Sequence, residues 1–305
     1  MDKNCRPGAL SYAGGIIPFG KGSPTLCVND QMGYLIQNPE VIAQLQKEDL
    51  THLVKLARES VSLGHYVVNI QLMEPCLDEE KLFVKTVETL VGETGCCISV
   101  DCRDPKLVDA ALAAYPYKAM CNVINGEWEN LETFLPIIAK HGAAVGTACV
   151  YEKGVPETVA ERLYVARRIV NEAGKYGIPP EDIMMDCVCL PIGVKPDSLR
   201  PTLETIQVIH EELGVATLLG SSNAGYMLPD MEAVNLIYYI ATVAVGLDVA
   251  MIDPGIPQFN YFNKILKFLM GFDPYGKEFF DHYRHVRSKM TGHSFAHGSG
   301  REGNE

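Results

Sequence analysis

Residues 183–186, Ile-Met-Met-Asp, form a short apolar run that ends in a carboxylate, and this arrangement recurs along the chain. Eight apolar runs, each finishing on a small polar side chain, occupy residues 26–30, 67–71, 98–101, 119–122, 143–147, 183–186, 218–223 and 249–253. A continuous apolar run of this length is typical of a strand buried on both faces of a parallel sheet.

A helical stretch follows nearly every run, and the clearest of them spans residues 156–174. Eight strand–helix units predict an α/β protein, a closed (β/α)8 TIM barrel, with its site at the carboxyl ends of the strands. We place the barrel at residues 25–285. The scattered Gly and Pro of residues 1–24 predict an irregular leader over the barrel, and residues 286–305 a flexible polar C-terminal tail.

The composition narrows the class of protein. A hydrophobic content of 47% supports a large core, and a net charge of −12 disfavours nucleic acid, which is bound through clustered Lys and Arg. No segment reaches the roughly 18 apolar residues of a membrane span, and the N-terminus lacks the apolar core of a signal peptide. We therefore expect a soluble, cytoplasmic protein that does not bind membranes.

Ten cysteines could indicate a metal site, but most of them lie inside predicted strands, where a free thiol behaves as a small hydrophobe. No C-x-x-C spacing occurs, and His293 and His297 fall in the polar tail. The sequence predicts reduced, buried thiols and no metal site, although a cysteine cluster assembled in space stays open as an alternative.

Two aspartates at strand ends stand out. Asp101 follows a predicted strand, yet Asp104 followed by Pro105 already supplies the cap of the next helix. Asp186 lies among apolar neighbours, and a buried carboxylate must be paired or hydrogen-bonded. Because no Lys or Arg lies on the neighbouring strand ends, we favour a ligand as the partner of both carboxylates over a structural role.

Amides accompany these carboxylates. Asn122 ends the fourth predicted strand and is expected to face the mouth, whereas Asn125, followed by glycine, is interpreted as a plain turn. Gly220 and Ser222 allow close approach of a ligand to the backbone, and Asn223 can both donate and accept hydrogen bonds. For this loop a turn without function is the alternative. The ring of Asp and Asn predicts a neutral ligand rich in hydrogen-bond donors.

The order and spacing of these motifs carry a family resemblance over about residues 25 to 255. The strongest stretches are Val100-Asp101, Ala119-Met120-Cys121-Asn122, residues 154–186, Leu219-Gly220-Ser221-Ser222-Asn223 and Gly246-Leu247-Asp248. The chain resembles the pterin-binding barrels, and most closely the methyltetrahydrofolate:corrinoid methyltransferases.

The resemblance implies that Asp101, Asn122 and Asp186 hold the pterin ring. It also implies that Asn223 lies beside the reacting N5. From its place near Asn223 we expect Asp101 to be the second catalytic residue, as the relay for the N5 proton. A pterin presents parallel N–H donors that a carboxylate can accept as a fork. The predicted pterin-binding residues are Asn69, Gln71, Asp101, Asn122, Asp186, Gly220, Ser222 and Asn223.

Several positions at the mouth depart from the family pattern. Asn69 and Gln71 stand where the family has an acidic-x-Asn pair on the second strand, and Asn29-Asp30-Gln31 stands where a Glu-Arg pair is usual. Cys187 replaces a Pro, and Tyr226 and Met231 stand where a Gln and an Arg are common. The departures favour a variant partner, such as that of the second methyltransferase of an O-demethylase system.

The resemblance implies methyl transfer between a corrinoid and N5 of tetrahydrofolate, forming methyltetrahydrofolate, by a homodimer. Because the sequence lacks the D-x-H-x-x-G signature of corrinoid domains, a partner corrinoid protein is expected to bring the cobalt. One alternative is a dihydropteroate synthase-like enzyme. Such an enzyme needs Lys and Arg for pyrophosphate and product, and the loops after strands six and seven offer only Lys195 and Arg200. The others are a zinc-dependent methyltransferase acting on a small methyl donor and a non-enzymatic pterin-binding protein.

Overall fold

The computed structural model describes residues 6–256 and 258–291, with side chains to residue 284. The chain divides into two compact units, residues 1–257 and 258–305. The first unit begins with an antiparallel hairpin of β1 (Gly8–Tyr12) and β2 (Gly15–Phe19), and a closed barrel follows it. The predicted barrel domain, residues 25–285, spans the division between the units and stays a prediction.

Eight strands close the barrel. They are β3 (Leu26–Asn29), β4 (Val67–Ile70), β5 (Cys97–Val100), β6 (Met120–Asn125), β7 (Ala144–Ala148), β8 (Ile183–Asp186), β9 (Ala216–Gly220) and β10 (Val249–Met251). They pair in parallel in chain order, and β10 closes the barrel against β3. Every residue of β4 and β5 is buried, as expected for strands covered on both faces. Each strand falls on a predicted apolar run, so the TIM barrel is confirmed.

Helices surround the barrel. Those of the first unit are α1 (Met32–Leu35), α2 (Pro39–Leu45), α3 (Thr51–Ser62), α4 (Glu79–Thr94), α5 (Pro105–Ala114), α6 (Trp128–His141), α7 (Val159–Lys175), α8 (Leu199–Glu212) and α9 (Met231–Ala244). As predicted, Asp104 caps α5 and accepts the Lys106 amide at 2.8 Å. Helix α7 begins later than predicted, because Thr158 and Glu161 form a capping box.

The hairpin covers the amino ends of the barrel strands. The Ser11 amide donates to the carbonyl of Lys118, just before β6, at 3.0 Å, and the Tyr115 hydroxyl donates to the Ser11 carbonyl at 2.9 Å. A Cβ on Gly8 would lie 2.1 Å from the Glu181 carbonyl oxygen, so this approach requires glycine. The leader was expected to be irregular, and the hairpin is a regular element that its Gly and Pro residues did not predict.

The second unit contains α10 (Phe259–Leu269) and α11 (Lys277–Thr291). Asp273 accepts the amides of Glu278 and Phe279 at 3.1 and 3.0 Å and so caps the start of α11. Residues 286–291 of the predicted tail are therefore helical, while residues 1–5 and 292–305, with His293 and His297, lie outside the described residues. Among the described helices, none is both long and apolar enough to cross a membrane.

Candidate active site

A cavity of about 990 Å³ lies at the carboxyl ends of the barrel strands. Six of the predicted site residues line it, namely Gln71, Asp101, Asn122, Asp186, Gly220 and Asn223. The other two, Asn69 and Ser222, are buried outside this lining. The volume lies at the upper end of the roughly 300–1,000 Å³ typical of small-molecule sites.

Asp101 follows β5 and is held by two amides from the neighbouring strand β4 and the loop after it. Its Oδ2 accepts hydrogen bonds from Asn69 Nδ2 at 3.2 Å and Gln71 Nε2 at 3.3 Å. The Ser99 hydroxyl donates to Asn69 Oδ1 at 2.7 Å and so turns the Asn69 amide group toward the carboxylate. Burial raises the pKa of Asp101 to about 6, although the hydrogen bond from Asn69 opposes the shift.

Asn122 lines the same cavity as Asp101 and lowers the pKa of that carboxyl group, while its Nδ2 lies 3.5 Å from the Met251 sulfur. The register of β6 against β7 shifts between Asn122 and Ile124, and such a bulge re-aims side chains at the end of a strand. On β7, a Cβ at Gly146 would lie 2.6 Å from Met120 Cε and 2.8 Å from Asn122 Oδ1. Glycine at this position therefore leaves the space that the Asn122 amide group occupies.

Asp186 ends β8 and accepts two backbone amides. The Val188 N–H donates to Oδ1 at 3.0 Å and the Cys149 N–H to Oδ2 at 3.4 Å, while the Asp186 amide donates to the Thr147 hydroxyl at 2.9 Å. Burial raises the pKa of Asp186 to about 6. A carboxylate has about four acceptor positions, so both oxygens can still accept donors from a ligand.

The loop after β9 divides into an exposed and a buried part. The exposed Asn223 folds its amide over Gly220, where a Cβ would lie 2.7 Å from Asn223 Nδ2. The buried Ser222 hydroxyl instead donates to Asp30 Oδ1 at 3.2 Å, and Gln31 donates to the same oxygen at 2.9 Å. Ser222 thus ties the loop to the end of β3, and burial raises the pKa of Asp30 to about 6.

The charge in the cavity is mainly negative. Its acidic lining residues are Asp101, Asp186, Glu127 and Glu129. Arg103 is the one Lys or Arg among the lining residues in the part of the chain that the structure describes. The cavity therefore suits a ligand with hydrogen-bond donors better than a pyrophosphate, which needs several cationic or amide donors.

Metal ligation and nucleophilic attack by a thiol both depend on side chains that the site would have to supply. Over the described residues, no group of three or more His, Cys, Asp or Glu side chains could hold a metal ion. The nine cysteines that the structure describes are free thiols, and burial raises the pKa of Cys102 to about 11 and of Cys189 to about 12 at the cavity wall. These two thiols therefore stay protonated near neutral pH and are poor nucleophiles.

The pterin-binding enzyme family matches residues 38–253, which is more than half of the chain. The chain belongs to the pterin-binding enzyme family. Its closed parallel barrel is the fold expected for that family, and the match includes β4 to β10 and the whole ring of strand-end residues from Asn69 to Asn223.

Individual relatives are distant. The chain is 25% identical over 184 residues to a methylcorrinoid:tetrahydrofolate methyltransferase of Eubacterium limosum, covering 58% of this chain and 66% of the relative. It is 23% identical over 257 residues to the methionine synthase of Mycobacterium leprae (strain TN), covering 77% of this chain and 21% of that protein. The dihydropteroate synthase structure from Stenotrophomonas maltophilia with active-site-bound imidazole shares the fold, with a TM-score of 0.62 at 19% identity, covering 87% of this chain and 97% of that one.

The structure also adds residues to the wall of this pterin-binding barrel. Thr147 lines the cavity and accepts the Asp186 amide, which orients Asp186. The sequence could have identified Thr147 as a site residue, because it ends an apolar run as Asp186 does. Nothing in the sequence pattern indicated Arg103 as a site residue, since it lies in the loop between β5 and α5. Asn125 forms the predicted turn, with its Oδ1 accepting the Glu127 amide at 2.9 Å, and it also lines the cavity.

Proposed function

We propose that this enzyme transfers a methyl group between a corrinoid carried by another protein and N5 of tetrahydrofolate, in the direction that forms methyltetrahydrofolate. The observation that carries the proposal is the convergence of Asp101, Asn122 and Asp186 on one cavity with little positive charge. The distant relative from Eubacterium limosum, a methylcorrinoid:tetrahydrofolate methyltransferase, supports the same reaction.

In this proposal the two carboxylates and the amide anchor the pterin ring. Asp101 and Asp186 accept its N–H donors, and the charge-assisted bonds also fix the ring orientation because a carboxylate accepts two parallel donors. Asn122 pairs with a remaining polar atom of the ring, since an amide both donates and accepts. Asn69 supports Asp101 from behind and Ser222 holds the loop of Asn223, so neither needs to touch the ligand.

Asn223 and Asp101 serve the chemical step. When N5 bonds to the methyl carbon, the N5 proton must leave. We assign Asn223 to hydrogen-bond N5 and Asp101 to accept the proton through water, because a carboxyl group with a pKa of about 6 exchanges protons effectively near neutral pH. Otherwise the protein contributes proximity and orientation, by holding N5 toward the mouth.

A corrinoid supplies or accepts the methyl group in such a reaction, and we propose that a separate corrinoid protein presents it at the mouth. The sequence lacks the D-x-H-x-x-G signature, which is consistent with a carrier outside this chain. The substitutions at Asp30 and Tyr226 lie in the loops after β3 and β9 and favour a variant partner, as in an O-demethylase system. The homodimer implied by the resemblance is part of the same proposal.

Dihydropteroate synthase chemistry is the second candidate, because solved structures of that enzyme share the fold. Of the two cations named for it, Lys195 forms an ion pair with Glu157 at 3.0 Å, and neither Lys195 nor Arg200 is among the cavity-lining residues. The zinc-dependent alternative would require a bound zinc in the purified protein.

Ligand binding and turnover separate these candidates. Titration calorimetry should detect tetrahydrofolate binding with one site per chain, and incubation with a dihydropterin pyrophosphate and p-aminobenzoate should give no condensation product. Condensation at enzymatic rates would replace the proposal with dihydropteroate synthase chemistry. One stoichiometric zinc per chain would replace it with the zinc-dependent class.

A further inference from the structure

The turn that follows Asp186 has an unusual backbone conformation. Val188 has a φ of 63°, in the left-handed region, where a β-branched residue is an outlier. This conformation brings the Val188 N–H to within 3.0 Å of Asp186 Oδ1. Strained residues persist only where their surroundings hold them, and they cluster at functional sites.

A buried arginine holds the middle of this turn. Arg162 of α7 is 1% exposed, and its Nη1 donates to the Cys187 carbonyl at 3.0 Å and to the Thr205 hydroxyl at 3.4 Å. Its Nε donates to the Pro156 carbonyl at 3.3 Å. All of these acceptors are neutral, and no carboxylate in the described part of the chain forms an ion pair with Arg162. The positive charge of Arg162 also lowers the pKa of Asp186 and so favours the ionised form of that carboxyl group.

A buried threonine holds the end of the turn. The Thr202 hydroxyl of α8 lies 2.7 Å from the Val188 carbonyl and 3.0 Å from the Ser198 carbonyl, and it accepts the Tyr238 hydroxyl at 3.0 Å. Two neighbouring helices, α7 and α8, thus each place one buried polar side chain on a carbonyl of the same three-residue turn.

We propose that Arg162 and Thr202 are positioning residues, a clamp that holds residues 186–188 in the strained turn and thereby aims the Asp186 carboxylate into the cavity. The inference rests on the proposed function, in which Asp186 anchors the pterin. Without the clamp, Val188 would relax toward negative φ, its N–H would leave Oδ1, and Asp186 would lose a fixed direction.

Thr202→Val tests the clamp because it removes the hydroxyl and keeps the shape. Thr242→Val is the matched control, since Thr242 is also buried on a helix and bonds carbonyls, those of Tyr238 and Tyr239, away from the turn. In the ligand-free protein, Thr202→Val should speed exchange of the Val188 amide at least tenfold relative to Thr242→Val. It should weaken tetrahydrofolate binding about tenfold, on the scale of one hydrogen bond, and Thr202→Ser should restore both.

Arg162→Met provides a second variant. It removes the hydrogen bonds to the Pro156 and Cys187 carbonyls and to the Thr205 hydroxyl, so the thermal midpoint should fall, while tetrahydrofolate affinity falls at least tenfold and the Val188 amide exchanges at least tenfold faster. Unchanged exchange of the Val188 amide in this variant would overturn the part of Arg162 in the clamp.

The exchange measurement keeps the two proposals apart. Unchanged exchange in Thr202→Val, or equal affinity losses in Thr202→Val and Thr242→Val, would overturn the clamp. If the wild-type protein bound no tetrahydrofolate, the proposed function would fail, and the exchange rate of the Val188 amide alone would decide whether the clamp holds the turn.

Discussion

Replacing Asp186 by Asn changes the charge of one cavity side chain and keeps its shape. In the wild-type protein both Asp186 oxygens accept a backbone N–H, from Val188 and Cys149. An asparagine supplies one oxygen and turns an NH2 group toward donors. If Asp186 anchors the pterin, the variant loses a charge-assisted hydrogen bond, which contributes roughly 1.5–3 kcal/mol. Tetrahydrofolate affinity should fall by about 10- to 150-fold.

The same change should leave the free enzyme at least as stable. Burial raises the Asp186 pKa above its unfolded value to about 6, so the ionised carboxylate destabilises the fold above that pH. At about 1.4 kcal/mol per pKa unit, the upper limit of the gain is about 3 kcal/mol at pH 7. Residual exposure of Asp186 and the lost bond to the Cys149 amide reduce it to roughly 1 kcal/mol. Affinity and stability should therefore move in opposite directions.

Calorimetric titration with tetrahydrofolate and thermal unfolding, both at pH 7, measure the two effects. Asp109→Asn is the control, because it neutralises a carboxylate that pairs with Lys140 on the outer helices and leaves the cavity unchanged. Wild-type affinity in a folded Asp186→Asn protein, or an equal loss in Asp109→Asn, would refute the role of Asp186 in binding.

Three further results are expected. Asn223→Ala should bind tetrahydrofolate within severalfold of wild type but transfer methyl at least tenfold more slowly at saturation, because a hydrogen bond to the reacting nitrogen acts mainly in the transition state. Stopped-flow absorbance measures the rate of transfer, and normal saturated turnover with lost affinity would make Asn223 an anchor of the pterin instead. Tetrahydrofolate affinity, measured from pH 8 to 5, should fall below about pH 6 by about tenfold per pH unit for each carboxylate that must be ionised, while the free enzyme becomes more stable. An affinity that does not change over this pH range would contradict the role of the ionised carboxylates in binding. Gly146→Ala should weaken tetrahydrofolate binding, because the new Cβ crowds Met120 and Asn122. Gly92→Ala, where a Cβ meets nothing within 4 Å, should bind normally in the same titration, and equal affinities of the two variants would contradict the crowding.

The barrel could be predicted because parallel strands covered on both faces leave an uninterrupted apolar signal, as in β4 and β5. The hairpin could not. Its two strands are joined at a two-residue turn and carry exposed residues such as Ile16, so their pattern of buried positions is weak. Helices α1 and α2 are only four and seven residues long, too short for a helical period to stand out.

Much of the candidate site could be predicted, because Asp101, Asn122 and Asp186 each follow an apolar run directly and strand ends meet at the barrel mouth. Contacts between distant segments could not. The bond from Ser222 to Asp30 joins residues 192 positions apart, and nothing local indicates that Ser222 turns away from the cavity. The left-handed backbone conformation of Val188 could not be predicted from the sequence either, since valine disfavours that conformation unless tertiary contacts impose it.

Methyl transfer from methylcobalamin to tetrahydrofolate tests the central claim most directly. Enzyme, methylcobalamin as a stand-in for the corrinoid protein, and tetrahydrofolate are mixed under reducing, anaerobic conditions, and cobalt absorbance and folate products are followed together. We predict loss of methylcobalamin absorbance with an equal yield of methyltetrahydrofolate, abolished without tetrahydrofolate and slowed at least tenfold in Asn223→Ala. Tight tetrahydrofolate binding without any methyltetrahydrofolate, when a known methylcorrinoid:tetrahydrofolate methyltransferase forms it under the same conditions, would contradict the account.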